Sequence, residues 1–212
     1  MIELPHTQGS PEWHAARAGI PTGSEFGRIV TPAKGDFAKG AASYMDELIA
    51  EKLGERSDFQ GTPDTEHGLR YEGEALRWLA FRHGVATRET SLCLSDCKRY
   101  GASPDALTES LEPVEVKCPK IKTFLGWRRD YLETGEVPRC HKVQCHAEML
   151  VTGADRCLFV AYAANEYLDN LLIEVRRDEF TDRVEEHVNT FCTLLEKQAR
   201  EVLGEFYEEV YA

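Results

Sequence analysis

Apolar residues along this chain recur at two different spacings. Intervals of three and four positions, as in Tyr44, Leu48 and Ile49, are typical of a helix that buries one face. Alternation of apolar and polar residues, as in 113–117, is typical of a strand. Together with capping and breaking residues, these spacings predict helices at 11–19, 42–53, 67–83, 121–133, 138–151 and 178–211, and strands at 87–94, 99–102, 113–117, 157–163 and 168–175.

Polar residues mark two helix starts near the N-terminus. Ser10, followed by proline, is a capping serine with proline at the first helical position. Thr22, with Glu25 three positions later, has the capping-box pattern and predicts a second, short helix. Loops are predicted for 31–40, which is rich in glycine, proline and lysine, and for the polar segment 54–65.

The order of the predicted elements indicates the fold class. Helices come first, followed by a central group of strands, a helix pair, two more strands and a final helix. This order predicts an α/β sandwich in which helices flank a central mixed sheet. The sequence contains no repeat or convincing linker, and 212 residues suit one core, so we expect a single domain over 1–212.

The charge of the chain excludes a protein coated in basic residues. Lysine and arginine number 25 against 37 acids, which gives a formal net charge of −12. Phosphate contacts nevertheless need only a local positive field. The segment from Lys117 to Arg129 holds five basic residues and no acid, and it either contacts nucleic acid or forms a solvated face. The residues expected to contact DNA are Lys120, Lys122 and Arg128.

Cysteine usage and the N-terminal sequence bear on location. The seven cysteines are odd in number and lack framework spacing, and the first residues lack a basic region followed by an apolar one. Reduced thiols in a cytoplasm are therefore expected. Because no apolar run reaches membrane-spanning length, we expect no membrane association.

An aspartate and a Glu-x-Lys strand form the candidate site with the clearest chemistry. Asp105 lies ten residues before Glu115. Alternate side chains of a strand share a face, so Glu115 and Lys117 point one way while the valines beside them point into a core. The two carboxylates and the carbonyl of Val116 can hold a divalent cation, and the lysine can orient or deprotonate a water. This set predicts a metal-dependent phosphodiesterase, although a turn aspartate and a surface strand would show the same spacing.

Other polar residues have two interpretations each. Glu72 follows a helix start, where it suits the helix dipole or adds a carboxylate to the metal cluster. Arg17 is typical of an exposed charge and Ser24 of a helix cap. Alternatively, the two join Ser103 in a site for a terminal phosphate.

The predicted helix 138–151 contains a further group of polar residues. Cys140-His141 and Cys145-His146 suggest zinc, but the CxxC pairs of structural zinc sites are missing. Gln144 and Glu148 are four positions apart and face either a site or solvent. The sequence has no Walker loop, dinucleotide-binding loop or HExxH motif.

Five motifs follow one another between about residue 9 and residue 175. They are Gly9-Ser10-Pro11-Glu12-Trp13 with Arg17, Gly19-Ile20, Thr22 and Ser24-Glu25; Gly68 with Tyr71-Glu72; Ser103-Pro104-Asp105; Glu115-Val116-Lys117-Cys118-Pro119; and Val143-Gln144 with Val151-Thr152-Gly153. In this order the set resembles the YqaJ-like viral recombinase family, to which the phage lambda-type alkaline exonuclease belongs, within the PD-(D/E)xK nuclease superfamily.

The resemblance implies a restriction-endonuclease-like fold and a specific activity. It implies an exonuclease that degrades one strand of linear double-stranded DNA from 5′ to 3′, dependent on Mg²⁺ or Mn²⁺, and leaves single strand for recombination. It also implies a ring-shaped homotrimer, a single-strand annealing protein as partner, and a phage or prophage origin in a bacterial cytoplasm. The alternatives are a DNA endonuclease on the same scaffold, a non-catalytic module that binds DNA ends, and an interaction protein built around the acidic C-terminal helix.

The resemblance also implies roles for individual residues. Asp105, Glu115 and the Val116 carbonyl would ligate the metal, Lys117 would serve the nucleophilic water, and Glu72 and Gln144 would support the catalytic cluster. Arg17, Ser24 and Ser103 would form a pocket for the 5′-phosphate. The chain departs from the family pattern in two places: His146 stands where relatives often carry a second glutamine, and polar Thr65 occupies a loop that can help part the strands.

Overall fold

The computed structural model describes residues 1–55 and 63–211. In chain order its strands are β1 (Ile2–Glu3), β2 (Thr87–Arg88), β3 (Cys93–Leu94), β4 (Gly101–Ala102), β5 (Ala106–Thr108), β6 (Pro113–Lys117), β7 (Arg156–Ala161) and β8 (Leu171–Arg176). Its α-helices are α1 (Pro11–Arg17), α2 (Ala41–Lys52), α3 (Pro63–His83), α4 (Ile121–Thr134), α5 (Arg139–Thr152), α6 (Glu179–Leu203) and α7 (Tyr207–Tyr211). Short 3₁₀ helices cover Gly23–Arg28 and Gly204–Phe206.

A mixed sheet of five strands forms the centre of the described chain. Its order is β2-β5-β6-β7-β8, and only the β6–β7 pair is parallel. A parallel pair needs a long crossover, and α4 and α5 supply it between the two strands. β1, β3 and β4 form a second, antiparallel sheet. The predicted α/β fold with a central mixed sheet is confirmed.

Helices cover both faces of the central sheet. On one face, Val114 and Val116 of β6 pack with Ala75 and Leu79 of α3. On the other, strands β7 and β8 pack against α4 and α5 through a cluster that includes Phe124 and Phe159. The valines of β6 therefore point into a core, as their alternation predicts, and the acid between them faces the opposite side.

Helix α6 closes a further hydrophobic core with α2. Its start is capped by Asp178, whose side chain accepts hydrogen bonds from the amides of Phe180 and Thr181, and Thr181 completes a capping box. Tyr44 of α2 stacks on Phe191 of α6 with ring centroids 5.5 Å apart. No helix within the described ranges is long and apolar enough to cross a membrane.

The structure corrects several predicted strand and helix boundaries. The predicted strand 87–94 is two short strands in different sheets, β2 and β3, since the chain leaves one sheet and enters the other between them. Strand β5 was not predicted. The final helix is interrupted at Gly204, which has φ of +55° and starts a 3₁₀ turn before α7.

Two predictions near α3 and the N-terminus are also corrected. The predicted loop 54–65 lies partly outside the described residues, and α3 already begins at Pro63 rather than at 67. The capping box at Thr22 is wrong. Thr22 precedes a 3₁₀ helix and makes no side-chain capping bond, because its hydroxyl accepts a hydrogen bond from Arg17 instead. The serine cap of α1 is confirmed, since Ser10 Oγ accepts from the Trp13 amide at 3.1 Å.

Candidate active site

A cleft of about 480 Å³ opens where β6 ends and α4 begins. The strand end contributes Val116 and Lys117, and the start of α4 contributes Lys120. Glu72 reaches the cleft from α3, and Asp105 reaches it from the turn before β5. Residues that are far apart in sequence therefore share one concave surface, which is the usual form of a binding or catalytic site.

The hairpin of β5 and β6 brings the three central groups together. Antiparallel pairing sets the residue before β5 beside the end of β6, and the Val116 amide donates a hydrogen bond of 2.6 Å to Asp105 Oδ2. The Lys117 ammonium forms an ion pair with Glu115. Asp105, Glu115 and Lys117 therefore converge, as the alternation of the strand requires.

Glu115 lies in an unusual environment for an ionisable group. Its side chain is fully buried on the face of β6 that looks toward α5, and neither carboxylate oxygen accepts a hydrogen bond of ordinary geometry from the described residues. Burying a carboxylate is costly unless charges or donors compensate it. Lys117 supplies one positive charge at one of the two oxygens, and Glu148 is a second close polar neighbour.

Several further carboxyl groups crowd the same place. Burial raises the pKa of Asp105 well above its ordinary value, and the charge of Glu115 raises it further. Burial also raises the pKa of Glu72, as does Glu115, while Lys117 opposes this. Glu148 of α5 is buried beside Glu115, and burial followed by that neighbouring charge raises the pKa of Glu148. These four acids lie near one lysine, Lys117, so the acidic groups outnumber the basic one that pairs with them.

Two opposing effects act on the pKa of Lys117. Burial by itself lowers the pKa of a lysine, but the charges of Glu115 and Asp105 outweigh it and raise the pKa of Lys117 above its ordinary value. In this state the side chain is an ammonium that donates hydrogen bonds. It can orient a water or a phosphate oxygen near the two carboxylates.

The donor set fits a hard divalent cation. Asp105 and Glu115 provide carboxylates, and Val116 adds a backbone carbonyl at the cleft wall. No three His, Cys, Asp or Glu side chains form a metal-binding group in the described ranges. Mg²⁺ does not require one, since it commonly keeps several waters and is bound through one or two carboxylates. A cation here would also neutralise the excess charge of the acid cluster.

Gln144 is hydrogen-bonded to an acid of its own helix. Its Nε2 donates to Glu148 Oε1 at 3.1 Å, and the thiol of Cys157 donates to Glu148 Oε2 at 3.6 Å. Gln144 is not among the described residues that line the cleft, so its catalytic role stays a prediction. The structure instead places Glu148, its partner, against the buried acid of β6.

The predicted phosphate-binding residues lie on adjoining segments. The Arg17 guanidinium is half-buried, lies 4.3 Å over the Trp13 ring and donates to Thr22 Oγ1 at 2.9 Å. A parallel bridge joins Thr22 to Gly101, so the segment that carries exposed Ser24 runs beside the strand that precedes half-buried Ser103. None of Arg17, Ser24 and Ser103 is among the described residues that line the cleft.

The three predicted DNA-contacting residues differ in position. Lys120 lines the cleft at the N-terminal end of α4. Lys122 is exposed and Arg128 is half-buried, and neither is among the described cleft-lining residues. The side chain of Thr65, the polar residue at the position linked to strand separation, lies outside the described residues.

The histidines of α5 separate rather than form a zinc site. His146 is buried, and its Nδ1 makes a hydrogen bond of 2.8 Å with Thr181 Oγ1. His141 lines the cleft, where its ring meets the edge of Trp127 with centroids 5.0 Å apart. Trp127 was not predicted as a site residue, His141 was considered only for zinc, and Glu148 was expected to face either a site or solvent. The four-residue spacing of Gln144 and Glu148 indicated a shared helix face, but no sequence signal showed that this face is buried.

The fold and the site together define the protein class. A mixed sheet between helices, with an aspartate before a hairpin and a Glu-x-Lys strand ending in an acid cluster, is characteristic of the restriction-endonuclease-like nucleases. The chain belongs to the YqaJ-like viral recombinase family, whose domain model matches residues 12–155, more than half of the sequence. The family that the five motifs resemble is thereby confirmed.

Solved structures of similar proteins are exonucleases. The alkaline exonuclease LHK-Exo from Laribacter hongkongensis is 26% identical with a TM-score of 0.76, and the match covers 91% of this chain and 96% of that one. LHK-Exo in complex with dAMP matches with the same identity and TM-score over 92% and 96%. A phage-related exonuclease from Haemophilus somnus 129PT shares the fold, with a TM-score of 0.64, 16% identity and coverage of 86% and 96%. The comparison with curated protein sequences finds no significant match. Family and neighbours support a nuclease function of the exonuclease type.

Proposed function

We propose that this protein is a metal-dependent exonuclease that degrades one strand of linear double-stranded DNA from its 5′ end. It releases mononucleotides and leaves single strand for recombination. The observation that carries the proposal is the convergence of Asp105, Glu115 and Lys117 in a chain of the YqaJ-like family, with Asp105 and Lys117 lining a cleft and Glu115 buried behind them. The similarity to exonucleases, one of them solved with dAMP, supports a nucleotide-releasing activity.

Each residue of the acid cluster has its own role in the proposed reaction. Asp105, Glu115 and the Val116 carbonyl hold Mg²⁺, with Mn²⁺ as an alternative, in the manner that their burial and unmet charge support. When bound there, such an ion would supply Lewis-acid chemistry to the phosphate and to a water. Lys117 orients the attacking water through its ammonium group. Glu72 lines the cleft and supports the cluster from α3.

Selection of a 5′ end is assigned to Arg17, Ser24 and Ser103. A guanidinium pairs well with a phosphate because its planar fork of N–H donors can reach two phosphate oxygens at once. Arg17 is already oriented by Trp13 and Thr22, so little side-chain entropy is lost when a phosphate binds. The basic side chains Lys120, Lys122 and Arg128 contact the DNA backbone.

The assembly and partners follow from the family. We expect a ring-shaped homotrimer threaded by the substrate, which favours processive degradation, and a separate protein that anneals the exposed single strand. The setting would be the cytoplasm of a bacterial host, with a phage or prophage gene as the source. These features are supported by membership of the family alone.

A degradation assay tests the proposal. Linear duplex with 5′-phosphate ends, one strand end-labelled, is incubated with the protein at alkaline pH with Mg²⁺ or with a chelator. We expect mononucleotides and residual single strand with Mg²⁺, and no cleavage with the chelator. Intact duplex in both would contradict the proposal, and cutting of closed circular DNA would favour an endonuclease instead.

A further inference from the structure

His141 is a cleft-lining residue without a role in the acid cluster or in the phosphate pocket. It lies in the first turn of α5 and lines the same cleft as Lys117 and Trp127. No hydrogen bond joins a ring nitrogen of His141 to another residue in the described part of the chain. The polar atoms of this ring are therefore available to a ligand in the cleft.

Two aromatic neighbours fix the orientation of the ring. His141 stacks on Phe159 with centroids 5.4 Å apart and planes at 30°, and it meets the edge of Trp127 at 85°. Phe159 is fully buried in β7 and pairs in register with Glu115 of β6. The stack therefore holds the imidazole beside the acid centre, which comprises Asp105, Glu115, Lys117, Glu72 and Glu148. A group that is already oriented loses little entropy when it engages a substrate.

Burial, helped by the neighbouring Lys117 ammonium, keeps the ring neutral. Burial lowers the pKa of His141 to about 4, and the Lys117 ammonium lowers it too, while Glu115 opposes this. A neutral imidazole carries one N–H donor and one acceptor. Such a group can contact a phosphate oxygen without setting a second cation beside Lys117.

We propose that His141 is a catalytic residue whose ring donates a hydrogen bond to a non-bridging oxygen of the scissile phosphate. The inference rests on the proposed exonuclease function and adds one donor to its site. In phosphoryl transfer, negative charge is carried by these oxygens in the transition state, so a fixed donor acts mainly on kcat. DNA binding in the ground state depends more on the basic residues and changes little.

Two substitutions separate hydrogen bonding from packing. His141→Phe keeps an aromatic ring against Phe159 and Trp127 but removes the donor, whereas His141→Gln removes the ring and keeps a neutral donor. His83→Phe, at an exposed histidine at the end of α3, is the matched control. Each variant is compared with the unmodified protein for kcat on 5′-phosphorylated duplex with Mg²⁺. Its dissociation constant for the same duplex is measured with chelator, and its melting temperature is recorded.

The expected result is a fall in kcat of roughly 10- to 100-fold in His141→Phe, the size of one hydrogen bond to a charged group. The dissociation constant and melting temperature should stay close to those of the unmodified protein, and His141→Gln should recover most of the rate. Unchanged kcat in His141→Phe would overturn the inference and leave the exonuclease intact. Equal losses in both variants with lowered melting temperatures would overturn it in favour of packing. An unmodified protein inert on DNA would overturn the proposed function and this inference together.

Discussion

The acid centre and the Arg17 site are both assigned to phosphate chemistry, yet their local balance of charge differs. In the acid centre, Glu115 is buried against the Lys117 ammonium, and the carboxyl groups around it raise one another's pKa values. At the other site, Arg17 already donates to Thr22 and lies over Trp13. In the first region, acids outnumber the one lysine that pairs with them, whereas the second region is pre-organised by the chain itself.

This difference shows which contacts the protein can supply alone. Like charges in a low-dielectric site repel, so the acid centre stores an unfavourable interaction that a divalent ion relieves. An arginine held by a ring and a hydroxyl needs no added ion. We therefore expect changes in the acid centre to have large, metal-dependent effects and changes at Arg17 to have smaller effects that depend on the DNA end.

Asp105→Asn should have the largest effect. It removes a negatively charged metal ligand while keeping the shape of the side chain, and we expect a loss of DNA degradation beyond about 1,000-fold, more than is typical for one electrostatic contact. Glu109→Gln, at an exposed acid in the turn after β5, should be close to the unmodified protein. Degradation of labelled duplex measures both. Comparable rates in the two variants would remove Asp105 from the metal site.

Lys117→Ala should reduce cleavage by roughly 100- to 1,000-fold and leave DNA binding largely intact. The ammonium offsets the charge of Glu115. In the proposed reaction it orients the water. The DNA backbone contacts are assigned to other basic residues, Lys120, Lys122 and Arg128. Cleavage and gel-shift assays, with exposed Lys39→Ala as control, check this. Normal turnover in Lys117→Ala would refute its assigned role.

Arg17→Ala should mainly change the choice of DNA end. The unmodified protein should prefer 5′-phosphate over 5′-hydroxyl ends, and the variant should lose about tenfold of that preference, the value of a charge-assisted hydrogen bond. Arg82→Ala, at an exposed arginine near the end of α3, should keep it. Equal cutting of both ends by the unmodified protein would show that the pocket is misplaced.

The smallest expected effect is on stability against pH. Because burial raises the folded-state pKa values of Asp105, Glu72 and Glu148, their protons are held more tightly in the folded chain. This contribution is complete below the ordinary carboxyl pKa and is lost as pH rises through the raised values. The raised pKa of Lys117 affects stability only near and above its ordinary, much higher range.

Burial lowers the pKa values of His141 and His146 to about 4, so the stability that these histidines contribute is lost as pH falls below their ordinary range, and they oppose the acids there. The acids are therefore tested above that range: the metal-free protein should melt a few degrees lower at about pH 8.5 than at about pH 7, and Mg²⁺ should raise the melting temperature more at the higher pH. Glu148→Gln, which removes one of the crowded acids, should reduce this pH dependence. Scanning calorimetry with and without chelator measures the effect. A melting temperature that rises with pH in the chelated protein would contradict the assigned repulsion.

The convergence of Asp105, Glu115 and Lys117 could be predicted from the sequence because its geometry is local. Two-residue periodicity set Glu115 and Lys117 on one face of β6, and the structure confirms this through their ion pair. Asp105 joins them through a hairpin that leaves only nine residues between the two acids. The motif order identified the family, and the helix–strand order identified the fold class, both of which are confirmed.

The remaining features depend on contacts that periodicity does not encode. Strand β5 has only three residues, too few to show alternation, and no glycine or proline marks the change of sheet between β2 and β3. The burial of Glu148 opposes the usual preference of acids for solvent and follows from its position against β6 and β7. His141 reaches the cleft only because Phe159 and Trp127 hold its ring.

The most direct test of the central claim is divalent-ion binding to the protein without DNA. Calorimetric titration with Mn²⁺ compares the unmodified chain, Asp105→Asn and Glu109→Gln under identical conditions. The account predicts saturable binding in the unmodified protein and in Glu109→Gln, and its loss in Asp105→Asn. Equal binding in all three proteins, or none in the unmodified one, would contradict an ion held by Asp105, Glu115 and the Val116 carbonyl.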